Sequence, residues 1–198
     1  MNKIIKTTLL LLSTFIVCSA DITTGEQKSI SDEFSQQDLA WSTKKGEWIF
    51  KDGVLTQSST KEDFPLILFE KEKFSTVDIS VDFKAISGRI DASGGIVFRA
   101  VDKDNYFIVR ANALEGNYRL YTFKNGIRNQ IATATIETPQ IKQFHRLRVV
   151  AKGKKIKAYL NGKLLIEHED DSFSRGYVGL WTKADSVTKF DNFKVVGE

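Results

Sequence analysis

Val77-Asp78-Ile79-Ser80-Val81-Asp82-Phe83 alternates apolar and polar side chains without a break. In an extended chain successive side chains leave on opposite faces. Val77, Ile79, Val81 and Phe83 therefore share one side, and Asp78, Ser80 and Asp82 the other. Such a strand buries one face and gives the other to water. The same rhythm predicts strands at Trp48–Phe50, Val54–Gln57, Leu66–Phe69, Gly95–Val101, Tyr106–Asn112, Tyr118–Lys124 and Arg128–Thr135. It continues at His145–Lys152, Lys155–Leu160, Lys163–His168, Gly176–Thr182 and Lys189–Val195. Asn125-Gly126 and Asn161-Gly162 read as hairpin turns, because both central residues of that turn need positive φ. Pro65 and Pro139 are the only prolines, and no linker or low-complexity stretch divides the chain. Many short antiparallel strands in one unit predict an all-β fold, a two-sheet antiparallel β-sandwich of jelly-roll type.

The start of the chain reads differently. Lys3 and Lys6 precede an apolar run, Thr7–Val17, and Cys18-Ser19-Ala20 follows. This is the pattern of a signal peptide over residues 1–20. The run is shorter than the ~20 residues of a membrane span, so no transmembrane segment is expected. The expected location is exported, periplasmic or secreted, after cleavage behind Ala20. The alternative is a lipoprotein in which Cys18 carries a lipid anchor. Residues 21–32 then form an N-terminal segment and 33–198 the sandwich domain. Cys18 is the only cysteine, so no disulfide is available to the folded part. Stability must come from the core of one domain. Without Lys3 and Lys6 the balance is 27 basic to 25 acidic residues, and the lysines are scattered. A nucleic-acid partner is not indicated.

Two segments carry polar and aromatic residues that a core-filling strand has no use for, Asn105–Gly126 and Tyr177–Val195. Reading the hairpin face by face puts Ile96, Phe98, Ala100, Phe107, Val109 and Ala111 inside. The opposite face receives Arg99, Tyr106, Ile108, Arg110 and Asn112. If the Leu114–Asn117 turn keeps Leu120 inside, Arg119 and Tyr121 join it; a one-residue slip would invert the assignment. Planar multi-donor side chains such as Arg and Asn, beside the faces of Tyr and Trp, suit a ligand that offers both hydrogen-bonding groups and apolar surface. The expected ligand-binding set is Arg99, Tyr106, Arg110, Asn112, Arg119, Tyr121 and Trp181. Trp181 equally suits a core position, and Trp41 and Trp48 read as packing residues.

Gly94-Gly95-Ile96-Val97-Phe98-Arg99, Asn105-Tyr106, Arg146-Leu147-Arg148-Val149, Tyr159-Leu160-Asn161-Gly162-Lys163, Gly179-Leu180-Trp181 and Phe190-Asp191-Asn192-Phe193 together resemble the concanavalin A-like jelly rolls of exported bacterial proteins. Within that superfamily the chain is most similar to the 3-keto-disaccharide hydrolase domain group and its laminin-G-like relatives, over roughly Phe34 to Val195. The resemblance implies a carbohydrate ligand on a concave sheet. It is weakly specific for function, because this fold carries lectins, glycanases and adhesion modules.

A glycosidase of the usual kind places two carboxylates across the scissile bond. The Glu-x-Asp-x-x-Glu pattern of family 16 glycoside hydrolases, which share this fold, is absent. Asp78 and Asp82 share a strand face, but water is the expected neighbour of that face. A 3-keto sugar needs less: its ketone acidifies the adjacent C–H, so one base and cationic stabilisation of the enolate suffice. Glu115, Asp185 and His145 are candidate bases, and no spacing chooses among them, so the catalytic residue stays unassigned. Only two histidines exist, which argues against a transition metal. The resemblance to family 16 also implies a structural Ca²⁺ held by oxygens at Glu33, Gly53 and Asp191. Three readings remain: an exported carbohydrate-binding module, a 3-keto-glycoside hydrolase or lyase on the same face, and a protein-interaction module of laminin-G type.

Overall fold

The computed structural model describes residues 26–198. The expected signal segment, Cys18 and the first part of the 21–32 segment lie outside the described residues. In chain order the strands are β1 (Lys28–Asp32), β2 (Trp41–Lys45), β3 (Trp48–Lys51), β4 (Val54–Gln57) and β5 (Leu66–Phe74). There follow β6 (Val77–Ser87), β7 (Ser93–Asp102), β8 (Asn105–Asn112), β9 (Asn117–Lys124) and β10 (Ile127–Thr135). The last five are β11 (His145–Lys152), β12 (Lys155–Leu160), β13 (Lys163–Glu169), β14 (Gly176–Trp181) and β15 (Val187–Gly197). They form two antiparallel sheets, so the chain is an all-β sandwich, as its alternation predicts. One sheet runs β13-β12-β11-β6-β15-β4-β3, with β1 also paired to β15. The other runs β10-β9-β8-β7-β14-β5-β2. Among the described residues no helix is long and apolar enough to cross a membrane.

The interior follows from the alternation. Val77, Ile79, Val81 and Phe83 of β6 meet Ile96, Phe98, Phe107 and Val109 of the opposing sheet, all fully buried. Each such side chain contributes about 1.5–3 kcal/mol. The sheets approach closely at Gly94, where an added Cβ would lie 2.5 Å from the Phe83 ring. Trp41 packs against Phe69 and Phe193 in the same interior, and its indole N–H donates to Asp32 Oδ2 at 2.8 Å.

The outer face of β6 is a ladder of ion pairs. Arg146 grips Asp82 through two hydrogen bonds of 2.7 and 2.8 Å, and Arg148 grips Asp78 through two of 2.7 and 2.6 Å. The Arg148 guanidinium also lies 5.2 Å from the Tyr159 ring centroid. These pairs are half open to solvent, so each adds up to about 1 kcal/mol. Both aspartates are structural partners of β11, not a free carboxylate pair.

One face assignment is corrected by the structure. β7 carries a bulge between Phe98 and Asp102, and Arg99 takes φ +50°. The extra residue shifts the alternation. Ala100 consequently joins the cluster on the outer face, and Arg99 leaves the face expected for it. Its guanidinium donates to the Ser75 carbonyl at 2.8 and 3.1 Å and to the Phe173 carbonyl at 3.2 Å. Arg99 is a fully buried tie between loops, well away from Arg110.

Candidate functional site

The second sheet places two rows of side chains on its outer face. Across β8 and β9 the facing pairs are Tyr106 with Phe123, Ile108 with Tyr121, Arg110 with Arg119 and Asn112 with Asn117. Gly95 on β7 stands beside both Arg110 and Trp181. The register that keeps Leu120 inside is the one observed, with Leu120 fully buried in the interior. Arg110, Asn112, Arg119 and Tyr121 are thus brought together, with Tyr106 and Trp181 further along the same face.

The middle of this face is covered. Trp181 is fully buried under Phe64, whose ring stacks on it at 5.8 Å and 14°. The Arg128 guanidinium lies 5.0 Å from the Phe64 centroid and 4.9 Å from that of Tyr121. Tyr106 stacks on Phe123 at 4.5 Å, and burial raises its hydroxyl pKa.

At one end of the face the chemistry becomes polar, because three connections converge there: residues 88–92, the 113–116 turn and residues 182–186. Arg110 is fully buried and donates to Asn117 Oδ1 and to Glu115 Oε2, each at 3.0 Å. Arg119 approaches the same Glu115 oxygen at 3.5 Å. Burial would raise the Glu115 carboxyl. Hydrogen bonds from Asn117 and Arg110, with the charges of Arg110 and Arg119, outweigh it and hold the pKa at about 2. Asp91 is fully buried, and its Oδ2 accepts from Lys183 Nζ at 2.6 Å. Asn112 Oδ1 accepts from the backbone N–H groups of Ala92 and Leu114, so one side chain joins two of the connections.

The third connection fixes the first. Asp185 accepts the backbone N–H groups of Arg89, Ile90 and Asp91 at 2.7, 3.0 and 3.0 Å. Burial opposes ionisation of this carboxyl, but the N–H donors prevail and lower its pKa. Gly88 is required for the fold-back, since a Cβ there would lie 1.7 Å from the Asp91 carbonyl oxygen.

Buried polar atoms normally find partners, and one that does not costs about 1–3 kcal/mol. Among the described residues the exceptions are Asp91 Oδ1, Arg110 Nε, Asn112 Nδ2, Arg119 Nε, Arg128 Nη1 and Trp181 Nε1. All belong to this face or to the connections at its end, so the site holds one free acceptor and several free donors. Sequence reasoning did not single out Asp91 or Lys183. Both sit in loops whose composition reads as a polar turn, and only the strand order brings them to Arg110.

The three candidate bases fare poorly. Glu115 is ion-paired and Asp185 is held by backbone donors. His145 stands on β11 of the other sheet, with Nε2 3.1 Å from the Gln140 carbonyl and Nδ1 3.2 Å from Asn161 Nδ2.

The segments carrying Glu33, Gly53 and Asp191 adjoin one another beside β15 in the first sheet. Asp32 pairs with Phe193 and Leu55 with Phe190, which brings the ends of β1 and β4 to the bulge at Asp191. A Cβ on Gly53 would lie 3.9 Å from the Glu33 carbonyl oxygen. Among the described residues no three His, Cys, Asp or Glu side chains group as a metal site. A cation here would depend on the Glu33 and Gly53 carbonyls with the Asp191 carboxylate. That all-oxygen set fits a hard cation such as Ca²⁺.

The family model for the 3-keto-alpha-glucoside-1,2-lyase-like domain matches residues 32–196. The chain belongs to that family. It is 28% identical to levanase of Bacillus subtilis over 163 residues, 80% of this chain and 23% of levanase. It therefore spans about a quarter of that enzyme's length. Among solved structures it is similar to the carbohydrate-binding module CBM66 of Bacillus subtilis, with a TM-score of 0.71 and 24% identity over 78% of this chain and 94% of that one. A β-1,3-1,4-glucanase (lichenase) from a mouse hindgut metagenome gives a TM-score of 0.62 at 13% identity, covering 85% of this chain and 98% of that one. At these identities the structural likenesses establish the fold, a sandwich shared by carbohydrate-binding and glycosidase-like domains.

Proposed function

We propose that this protein is a carbohydrate-binding module whose ligand seats against Asp91, Arg110, Asn112 and Arg119. The observation that carries this reading is the convergence of their buried, unpartnered polar atoms at one end of one sheet face. A sugar hydroxyl both donates and accepts, so a polyol satisfies Asp91 Oδ1 and the arginine and asparagine N–H groups together. Glu115 and Lys183 hold that constellation in place through their ion pairs. Likeness to CBM66 and to part of levanase supports a glycan ligand and makes levan the first probe. The test is affinity electrophoresis and calorimetry against levan, inulin, starch and β-glucan. Retention by one of them is expected, and Asp91→Asn should weaken it by about 10- to 100-fold, the loss of a charged hydrogen bond. Failure of all four to bind, or unchanged binding by a folded Asp91→Asn, refutes the reading.

A second reading is lyase chemistry on a 3-keto glycoside, favoured by the free Asp91 Oδ1. There the carboxylate would take the C2 proton next to the ketone and the arginines would stabilise the enolate; its collapse would form a C1=C2 double bond and break the C1–O bond, the departing oxygen taking a proton from water. Sugar release from a 3-keto disaccharide, and none from its unoxidised parent, would establish it. We further propose a structural Ca²⁺ at Glu33, Gly53 and Asp191. Export remains our proposal for the chain's location, with cleavage after Ala20 or lipidation at Cys18.

A further inference from the structure

The same sheet face has a recess at its opposite end, between the β7–β8 and β9–β10 turns. It is a cleft of about 430 Å³ with Phe64, Leu66, Tyr106 and Phe123 in its lining. Its rim carries Lys44, Lys45 and Lys103. Each of these lysines already has a carboxylate partner: Glu70 at 2.9 Å, Glu62 at 3.1 Å and Asp104 at 2.6 Å. Such pairing leaves no surplus charge for an anion, yet the ammonium groups keep further N–H donors. The partly exposed Phe64 and these neutralised donors suit a neutral ring that is apolar on one side and hydroxylated at its edge.

The cleft and the polar end share one strand. Tyr106 and Arg110 lie on β8, four residues apart and on one face, so the cleft and the polar end are about 13 Å apart along the strand. Between them runs the low ridge of Phe64, Arg128 and Tyr121, and Arg128 Nη1 on that ridge is buried and unpartnered. A single sugar fills the cleft alone; a chain of several has the length to reach the polar end as well.

We propose that this cleft is a second sugar subsite, holding a neutral residue of the glycan whose other part sits against Asp91 and Arg110, with Arg128 donating to the chain as it crosses the ridge. This rests on the binding function proposed above and adds to it that the ligand is an oligosaccharide lying along β8. Two contacts on one chain strengthen each other, because the second forms without a further loss of translational freedom.

The test is an NMR titration of the isotope-labelled protein with levan-derived oligosaccharides of two and six residues, repeated with Lys103→Ala. Lys103 is largely exposed, so the variant keeps its fold. The six-residue probe should bind about tenfold tighter than the two-residue probe. It should shift amides at Lys103–Asn105 and Asn125–Gly126 as well as near Arg110 and Glu115. Lys103→Ala should lose much of that gain and leave the two-residue affinity unchanged. Equal affinities with shifts confined to the Arg110 end would overturn the subsite and leave the binding site standing. Shifts confined to the Lys103 end would keep the subsite and overturn the assignment of Asp91 and Arg110. Silence at both ends at millimolar probe would overturn both.

Discussion

Glu115→Gln isolates the electrostatics of the polar end. Arg110 is fully buried, and Glu115 Oε2 is its carboxylate partner at 3.0 Å. Gln keeps the shape and one acceptor oxygen but leaves a buried guanidinium without its counter-charge. Breaking a fully buried pair costs about 3–5 kcal/mol, while an exposed pair is worth about 0–1. Here one partner is buried and the Glu115 side chain is 34% exposed. The fall of its pKa from 4.5 to about 2 would correspond to roughly 3 kcal/mol without solvent screening. Screening at that exposure brings the expected loss to about 1–2 kcal/mol. For a domain of this size that is a drop of roughly 2–8 °C in melting temperature.

The pH dependence supplies the sharper check. A carboxyl whose pKa is depressed by folding stabilises the protein above its unfolded value and ceases to do so as pH falls through its folded value. For Glu115 the contribution is complete above about pH 5 and fades between there and pH 2. Urea unfolding of wild type and Glu115→Gln at intervals from pH 7 to pH 2 measures the gap. It should be widest at neutral pH and close on acidification. A gap that does not narrow with pH would mean that Gln costs packing and not charge. A gap below about 0.5 kcal/mol at pH 7 would mean that Arg110 does not need its partner.

Arg99→Met should separate fold from function: losing three hydrogen bonds to the Ser75 and Phe173 carbonyls lowers stability by about 2–4 kcal/mol. Glycan affinity, measured by calorimetry below the unfolding range, should be unchanged. Calcium is tested by melting the protein with and without chelator, then with added Ca²⁺. A fall in melting temperature that Ca²⁺ restores, and that Asp191→Ala abolishes, is expected; indifference to chelator rules the site out.

The parts of this fold that were legible in the sequence are those governed by a single period. β6 announces itself because every second residue is apolar, and the two Asn-Gly turns fix the hairpins around them. β1 and β2 escaped notice for the complementary reason. Lys28-Ser29-Ile30-Ser31-Asp32 offers one apolar residue, and Trp41-Ser42-Thr43-Lys44-Lys45 buries only its tryptophan. Strands so polar are held by pairing with β15 and β5, a tertiary fact that no local pattern carries. Arg99 was misplaced because a bulge has no reliable mark in the alternation, and one inserted residue exchanges the faces beyond it.

The same distinction explains the site. Arg110, Asn112, Arg119 and Tyr121 were readable because they lie on paired strands, where register fixes the face. Asp91 and Lys183 are separated by 92 residues in sequence and meet only because β7 and β14 are neighbours. Their meeting bears on function more than any strand residue does. The carboxylates first considered as bases turn out to be bound by arginines or backbone donors, whereas Asp91 keeps one oxygen free beside unsatisfied donors. A free acceptor among fixed donors is complementary to a hydroxylated ring in its ground state, and binding needs no more than that. Catalysis would also require Asp91 to take a proton on Oδ1 while Lys183 Nζ holds its other oxygen at 2.6 Å. We therefore propose binding over cleavage as the function of the site.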